Sequence, residues 1–220
     1  MKVVLISDTH LKTDLSNLEP ADLLIHAGDF SMSGTIQETI KFNQHLTAIR
    51  DRYKYGIYLC GGNHDFIMEQ QRGLAVGLLT ACTYLCDEEA VIDGVKFYFT
   101  PYVPNLPRWA FHKNSEGLTR AFASIPDDTN FLVTHGPPHK ILDEVPVRGW
   151  NQFGGDVEGD PVGSVELFDR VMQLKDLKYQ TFGHIHESYG EKFFNGVHFI
   201  NASICDEYYK AVNKPIVVEL

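Results

Sequence analysis

Five short apolar segments, each followed at once by polar residues that can bind a metal ion, constrain this 220-residue chain most. Continuous apolar runs of this length are typical of strands buried on both faces of a mainly parallel sheet. Because ligand sites lie beyond the carboxyl ends of parallel strands, we expect the polar residues to collect at one edge of the sheet. The predicted strands cover residues 2–6, 22–27, 55–60, 131–133 and 178–182.

The third segment leads into Gly61-Gly62-Asn63-His64-Asp65, where an amide, an imidazole and a carboxylate follow a turn on two glycines. The structural alternative is a polar turn in which Asn63 and Asp65 bond their own backbone. Polar residues after the other four segments favour a functional site instead. They are Asp8 and His10, Asp29 after Gly28, His135, and the pair His184 and His186.

Other segments predict the elements around this sheet. Thr35 and Glu38 form a capping-box pattern at the start of a helix. The apolar face of that helix is predicted to comprise Ile36, Ile40, Phe42, Leu46 and Ile49. Near the C-terminus, residues 193–218 predict a meander that closes a second sheet.

Composition limits the class of protein. A chain with 44% apolar and 22% charged residues and no linker predicts a single domain over residues 1–220. The formal net charge of −10 argues against binding of duplex nucleic acid, which normally requires a basic surface. The first apolar run is too short for a signal peptide or a membrane span, and the four cysteines form no closely spaced pair. We therefore expect a cytoplasmic protein without a membrane partner.

The chemistry of the polar set indicates bound metal. Carboxylate, imidazole and amide ligands without thiolate suit zinc, iron or manganese better than a soft ion. The set is too large for one tetrahedral site, which takes about four ligands. It fits two ions about 3.5–4 Å apart that share a bridging carboxylate, an arrangement that activates water for attack on a phosphoryl group.

The order of the motifs resembles that of the calcineurin-like metallophosphoesterases. The matching motifs are Asp8-x-His10, Gly28-Asp29, Gly62-Asn63-His64-Asp65, His135 and Gly183-His184-x-His186. Thr134-His135-Gly136-Pro137-Pro138 and Ile200-Asn201-Ala202-Ser203 are further similar to the branch called metallophosphoesterase-domain-containing proteins. The resemblance implies an α/β fold, namely a four-layer α/β/β/α sandwich of two mixed sheets.

The resemblance also implies a role for each metal ligand. Asp8, His10 and His186 would hold the first metal. Asn63, His135 and His184 would hold the second, and Asp29 would bridge the two. The implied cofactor is a pair of divalent metal ions, with manganese expected first and iron, zinc or magnesium as alternatives.

Two residues of the third motif have implied catalytic roles. His64 would lie beside the substrate phosphate, where it would stabilise charge or protonate the leaving oxygen. Asp65 would orient the His64 imidazole and keep it cationic.

The implied reaction is hydrolysis of small phosphodiesters, cyclic nucleotides first among them, by attack of a metal-bound hydroxide. Protein phosphatases of this superfamily have an arginine after the second motif, whereas Asp29 is followed here by Phe30 and Ser31. A phosphomonoesterase and a nucleotide-binding scaffold with little turnover are the alternatives.

Six residues outside the motifs are candidates for substrate contact because loops commonly carry binding residues. Trp150 is the better of two candidates for stacking on a base, since it lies in the long segment after His135, whereas Trp109 could equally fill the core. The other candidates are Arg108, His112, His139 and Arg148.

Overall fold

Alternate residues of the first strand, β1 (Lys2–Ile6), pack into two different cores. Val3 and Leu5 face the space between two sheets, whereas Val4 and Ile6 face helices on the outside. Successive side chains of a strand point to opposite faces of its sheet. The all-apolar sequence of β1 is therefore explained by burial of both faces.

We describe residues 1–146 and 159–220 of the protein from a computed structural model. In these residues the first sheet has five strands, in the order β13-β1-β2-β3-β4. Strands β1 to β4 are parallel, and β13 runs antiparallel to β1. The new strands are β2 (Leu23–His26), β3 (Ile57–Leu59), β4 (Thr83–Tyr84) and β13 (Ile216–Glu219).

The second sheet has six strands in the described part of the chain, in the order β11-β12-β10-β7-β6-β5. Its four central strands are parallel, and each edge strand is antiparallel to its neighbour. The strands are β5 (Glu88–Ile92), β6 (Val95–Thr100), β7 (Phe131–Thr134), β10 (Tyr179–Phe182), β11 (Gly190–Phe194) and β12 (Val197–Asn201). A separate ribbon pairs β8 (Glu144–Val145) with β9 (Asp160–Pro161).

Helices cover the outer face of each sheet. Phe42 and Met68 pack on the first sheet, whereas Phe122 and Leu167 pack on the second. The predicted four-layer α/β/β/α sandwich of two mixed sheets is confirmed. The helices are α1 (Ile36–Thr47), α2 (Phe66–Gln70), α3 (Arg72–Leu78), α4 (Ser115–Ala123) and α5 (Val165–Val171). Short 3₁₀ turns lie at Leu15–Asn17, Arg50–Arg52 and His186–Ser188.

Helix α1 begins at the predicted capping box but buries a narrower face than predicted. The Thr35 hydroxyl accepts from Glu38 N at 3.2 Å, and the Glu38 carboxylate accepts from Thr35 N at 3.0 Å. Ile36 and Ile40 are 38% and 41% exposed, so their assignment to the buried face is wrong. The helix turns Phe42 and Leu46 toward the sheet instead, and Ile36 and Ile40 lie beside that stripe.

The C-terminal strand corrects the predicted meander. Strands β11 and β12 join the second sheet, but β13 pairs with β1 of the first sheet. Ile216 and Val218 of β13 pack between the sheets, and the pairing covers the backbone edge that β1 would otherwise expose. None of the helices in the described ranges is both long and apolar enough to cross a membrane.

Candidate metal centre

The loops that follow four strands, β1 and β2 of the first sheet and β7 and β10 of the second, bring six predicted ligands together at one edge of the sandwich. These ligands form three groups with His64, and the ligand atoms within each group lie within 4.8 Å of one another. The groups are Asp8, His10 and His186; His10, Asp29 and His64; and Asp29, His135 and His184. The seventh predicted ligand, Asn63, places its Oδ1 2.9 Å from Nε2 of His135.

The ring orientation of three histidines is fixed by backbone carbonyl groups. Nδ1 of His10 lies 2.8 Å from the carbonyl oxygen of Ser31. Nδ1 of His135 lies 2.9 Å from that of Ala27, and Nδ1 of His186 lies 2.8 Å from that of Asp206. A carbonyl can only accept, so Nδ1 carries a proton in each ring and Nε2 is the nitrogen left to bind a metal.

The Nε2 atoms of these three histidines face carboxylate oxygens or have no partner in the described part of the chain. Nε2 of His10 is buried and has no hydrogen-bond partner among the described residues. Nε2 of His135 lies 3.3 Å from Oδ2 of Asp29, and Nε2 of His186 lies 3.3 Å from Oδ1 of Asp8. Without a cation, the nitrogen and carboxylate lone pairs at these contacts would repel one another, so each contact requires a proton or a metal ion. These nitrogen and oxygen atoms therefore suit divalent metal ions, and Asp29 belongs to two of the three ligand groups.

Electrostatics of the buried cluster favour positive charge. Burial opposes protonation of His135, but the Asp29 carboxylate outweighs it and raises the pKa of this imidazole to about 9. Burial likewise opposes protonation of His186, yet the hydrogen bond to Asp8 raises its pKa to about 9. In contrast, burial, reinforced by the neighbouring His135, lowers the pKa of His184 to about 3. The two carboxylates thus create a field that attracts cations, whether protons or metal ions.

The backbone of four candidate ligands is strained. Asp8, His10, Asp29 and His184 have φ values of 52°, 44°, 58° and 70°, in the left-handed region that residues with a Cβ rarely adopt. Such conformations concentrate at functional sites, where surrounding contacts maintain them. These conformations direct four side chains from three loops toward one centre.

His26 supports the loops without facing the centre. It is fully buried, its Nε2 lies 2.8 Å from the Thr9 hydroxyl, and its Nδ1 accepts from Gly28 N at 3.2 Å. Burial lowers its pKa to about 3, so the ring is neutral. His26 therefore ties together the loops that carry His10 and Asp29.

His64 and Asp65 are adjacent to the cluster, but the predicted pairing between them is wrong. Nδ1 of His64 lies 2.7 Å from the carbonyl oxygen of Met32. The Asp65 carboxylate accepts from the backbone N–H groups of Asp29, Gly62 and Ser31 and from the Ser31 hydroxyl, at 2.7–3.1 Å. Four donors occupy this buried carboxylate, so Asp65 organises the backbone under the centre and does not orient the imidazole.

A cleft of about 260 Å³ opens over the cluster. Tyr209 lies edge-on to His10, His64 and His186, with ring centroids 4.9–5.9 Å apart. Trp109 contacts His64 with a centroid separation of 4.4 Å, although the sequence interpretation favoured Trp150. The lining residues are Asp29, Asn63, His64, Leu106, Trp109, His184, His186, Glu187, Glu207 and Tyr209.

Several of these lining residues were missed, and others that were predicted lie elsewhere. Tyr209 and Glu207 belong to no motif. Glu187 lies in Glu187-Ser188-Tyr189-Gly190, which resembles the same family branch but was not assigned to the site. His112 lines a separate cleft beside α4 and α5, His139 faces Asp143 at 3.8 Å, and neither lines the cleft over the cluster. Arg108 is exposed and is not part of that lining either. Arg148 and Trp150 lie outside the described residues.

Residues 1–188 match the family model for calcineurin-like phosphoesterases. The chain belongs to this family. Calcineurin-like phosphoesterases bind divalent metals, and the geometry above provides this member with a suitable cluster. Membership indicates a metal-dependent phosphoric ester hydrolase.

Curated relatives agree with this assignment. Metallophosphoesterase domain-containing protein 1 of Homo sapiens is 33% identical over 243 residues, covering 100% of this chain and 71% of the relative. A UPF0046 protein of Caenorhabditis elegans is 34% identical over 229 residues, covering 99% and 74%.

Among solved structures, a phosphopantetheinyl hydrolase of Mycobacterium tuberculosis is 16% identical with a TM-score of 0.66, covering 94% of this chain and 90% of its own. An archaeal phosphodiesterase is 15% identical with a TM-score of 0.51, covering 100% and 93%. At these identities the structural likeness concerns the fold alone.

Proposed function

We propose that this protein is a phosphodiesterase that uses two divalent cations to hydrolyse small phosphodiesters, with cyclic nucleotides as the first class to test. The proposed ligands are Asp8, His10 and His186 for one cation and Asn63, His135 and His184 for the other, with Asp29 as the bridge. Manganese is the first metal to try, and iron, zinc and magnesium are the alternatives.

The shared position of Asp29 carries the proposal. Its Oδ2 lies 3.3 Å from Nε2 of His135 and 4.0 Å from Nε2 of His10. One carboxylate therefore reaches both histidine groups, as a bridge between two cations must. When bound, two such cations neutralise phosphoryl charge, lower the pKa of water and align it for in-line attack.

His64 is the side chain placed to act on the departing oxygen. Its Nδ1 is taken by the Met32 carbonyl, so Nε2 is the ring nitrogen available to the cleft. A proton on Nε2 would stabilise charge on the phosphoryl group or pass to the leaving oxygen. The Met32 contact fixes the direction in which that nitrogen points.

The described lining of the cleft has no permanently cationic side chain to balance a second phosphate charge. Among the described residues that line it, Glu187 and Glu207 are acidic and lie outside the proposed ligand set, and none is Lys or Arg. A phosphodiester carries one negative charge near neutral pH, whereas a monoester carries up to about two. The two cations would attract both esters, so the preference for the diester rests on repulsion by Glu187 and Glu207, and the phosphomonoesterase alternative comes second.

Hydrolysis of matched aryl esters tests the proposal. Wild-type protein loaded with manganese should cleave bis(p-nitrophenyl) phosphate faster than p-nitrophenyl phosphate, and Asp29→Asn should abolish both reactions. A panel of 2′,3′- and 3′,5′-cyclic nucleotides then identifies the preferred diester. Faster cleavage of the monoester would favour the phosphomonoesterase instead.

Metal analysis separates the enzyme from a scaffold with little turnover. Two equivalents of metal per chain, together with turnover, support the enzyme. Fewer than one equivalent, with no hydrolysis by protein supplied with any of the four metals, contradicts the proposal and favours the scaffold.

A further inference from the structure

Trp109 is an exposed aromatic residue at the edge of the candidate centre. Its side chain is 38% exposed, yet its ring contacts His64 at a centroid separation of 4.4 Å and lines the cleft. Leaving a large aromatic surface in water forgoes the stabilisation that burial would give. Trp109 and His64 line the same cleft, so a substituent on a phosphate bound beside His64 would come within reach of this ring.

Stacking on Phe66 and two backbone hydrogen bonds hold Trp109 and its loop in place. It stacks on Phe66 with a centroid separation of 5.9 Å and an interplanar angle of 28°. Its backbone N donates to the Leu106 carbonyl at 2.9 Å, and the next residue, Ala110, donates to the Asn63 carbonyl at 3.1 Å. These bonds fix the loop to the segment that carries Asn63 and His64. A surface fixed before binding loses little conformational entropy when a ligand packs on it.

The remaining lining suits a flat, uncharged ring. Leu106 and Tyr209 add apolar and aromatic surface to the same cleft. Because the described lining contains no Lys or Arg, a substrate group beyond the phosphate gains more from stacking than from an ion pair. Aromatic side chains bind bases of any sequence in this way, through the π-face that every base presents.

We propose that Trp109 is the platform on which the nucleobase, or another planar ring attached to the phosphate, stacks during binding. This inference rests on the proposed function, because it places the phosphate beside His64. It assigns the protein a preference for diesters that carry an aromatic group, nucleotides above all, over diesters with only aliphatic groups.

Two ligands that differ only in the base test the inference. AMP and ribose 5-phosphate carry the same phosphate and sugar, and only AMP has a ring to stack. As competitive inhibitors of aryl diester hydrolysis by manganese-loaded protein, AMP should bind at least about fivefold tighter than ribose 5-phosphate. Trp109→Leu, which keeps apolar volume, should remove this difference, and Trp109→Phe should retain most of it.

Fluorescence provides a direct readout of stacking. The chain has two tryptophans, so a Trp150→Phe variant leaves Trp109 as the only one. AMP should quench its emission, whereas ribose 5-phosphate should leave it unchanged. Equal quenching by the two ligands, or none by AMP, overturns the inference.

The outcomes distinguish this inference from the proposed function. If wild type hydrolyses diesters but binds AMP and ribose 5-phosphate equally, the inference that Trp109 stacks on the base is wrong, whereas the proposed phosphodiesterase activity is supported. If Trp109→Leu weakens both ligands by the same factor, Trp109 acts by positioning His64, and the platform is again wrong. If wild type binds neither ligand and hydrolyses no diester, both proposals fail.

Discussion

The backbone N–H of His64 donates a 2.7 Å hydrogen bond to Oδ1 of Asp29. The residue proposed to face the phosphate is therefore tied, through its main chain, to the residue proposed to bridge the cations. This bond does not involve the imidazole of His64. Replacing the side chain should consequently separate catalysis from metal binding.

His64→Ala should retain both metals and lose turnover. The variant keeps the N–H that bonds Asp29, so the bridging carboxylate stays in position. Loss of a positioned acid typically lowers a rate by about 10²–10⁴-fold, and we expect kcat for an aryl diester to fall within that range. Metal content by inductively coupled plasma mass spectrometry should remain at two equivalents. A variant that loses metal would show that His64 is itself a ligand, as its place in one ligand group allows.

Asn63→Ala should have the opposite effect to His64→Ala, because it should weaken metal binding. Its Oδ1 lies 2.9 Å from Nε2 of His135, where it would share the second cation. Removal of this oxygen should lower metal content toward one equivalent, and excess manganese should restore part of the activity. Normal metal affinity with a reduced kcat would contradict the assignment of Asn63 as a ligand.

Asp65→Asn should destabilise the fold around the centre. The carboxylate is fully buried and accepts from three backbone N–H groups and one hydroxyl. An amide presents an N–H group to some of these donors, and leaving buried donors unsatisfied costs about 1–3 kcal/mol. Urea unfolding of protein stripped of metal measures this loss.

Asp51→Asn is the matched control, since the Asp51 side chain is 98% exposed and its substitution should change the free energy of unfolding by less than about 0.5 kcal/mol. An Asp65→Asn variant that unfolds at the same urea concentration as wild type would contradict this structural role of Asp65.

The sequence predicted the sheets and the candidate ligands because both depend on local patterns. Val3 to Ile6 are apolar without interruption, and a strand buried on both faces requires this. The residues after neighbouring parallel strands converge at one edge of a sheet. The grouping of Asp8 with His186, which follow strands of different sheets, came from the family resemblance. The partner of β13 was harder to predict, since an alternating apolar segment can pair with any free edge.

Positions that depend on loop conformation could not be predicted. Asp65 directly follows His64, yet the turn directs its carboxylate to the backbone of Ser31 and Asp29. Tyr209 reaches the cleft from the C-terminal region with a φ of 58°, which no local pattern indicates. Trp109 and Trp150 could be ranked only by distance along the chain, which says little about distance in space.

Gly62 provides the sharpest test of how closely the centre is packed. A Cβ at this position would collide with Oδ1 and the backbone N of Asp29 and would lie 2.7 Å from Cε1 of His135. These are backbone atoms and tightly packed side-chain atoms, so moving them costs a large amount of free energy. Gly62→Ala should therefore displace Asp29, lower the content of both metals and abolish diester hydrolysis.

Gly77→Ala is the control for this substitution. Gly77 lies in helix α3 (Arg72–Leu78), where a Cβ would meet no atom of the described residues within 4 Å. Alanine is favoured over glycine by about 0.5–1 kcal/mol in a helix, so this variant should raise the urea midpoint and keep full metal content. Metal content equal to that of wild type in Gly62→Ala would show that Asp29 can move without loss of the centre, which would contradict its role as a fixed bridge.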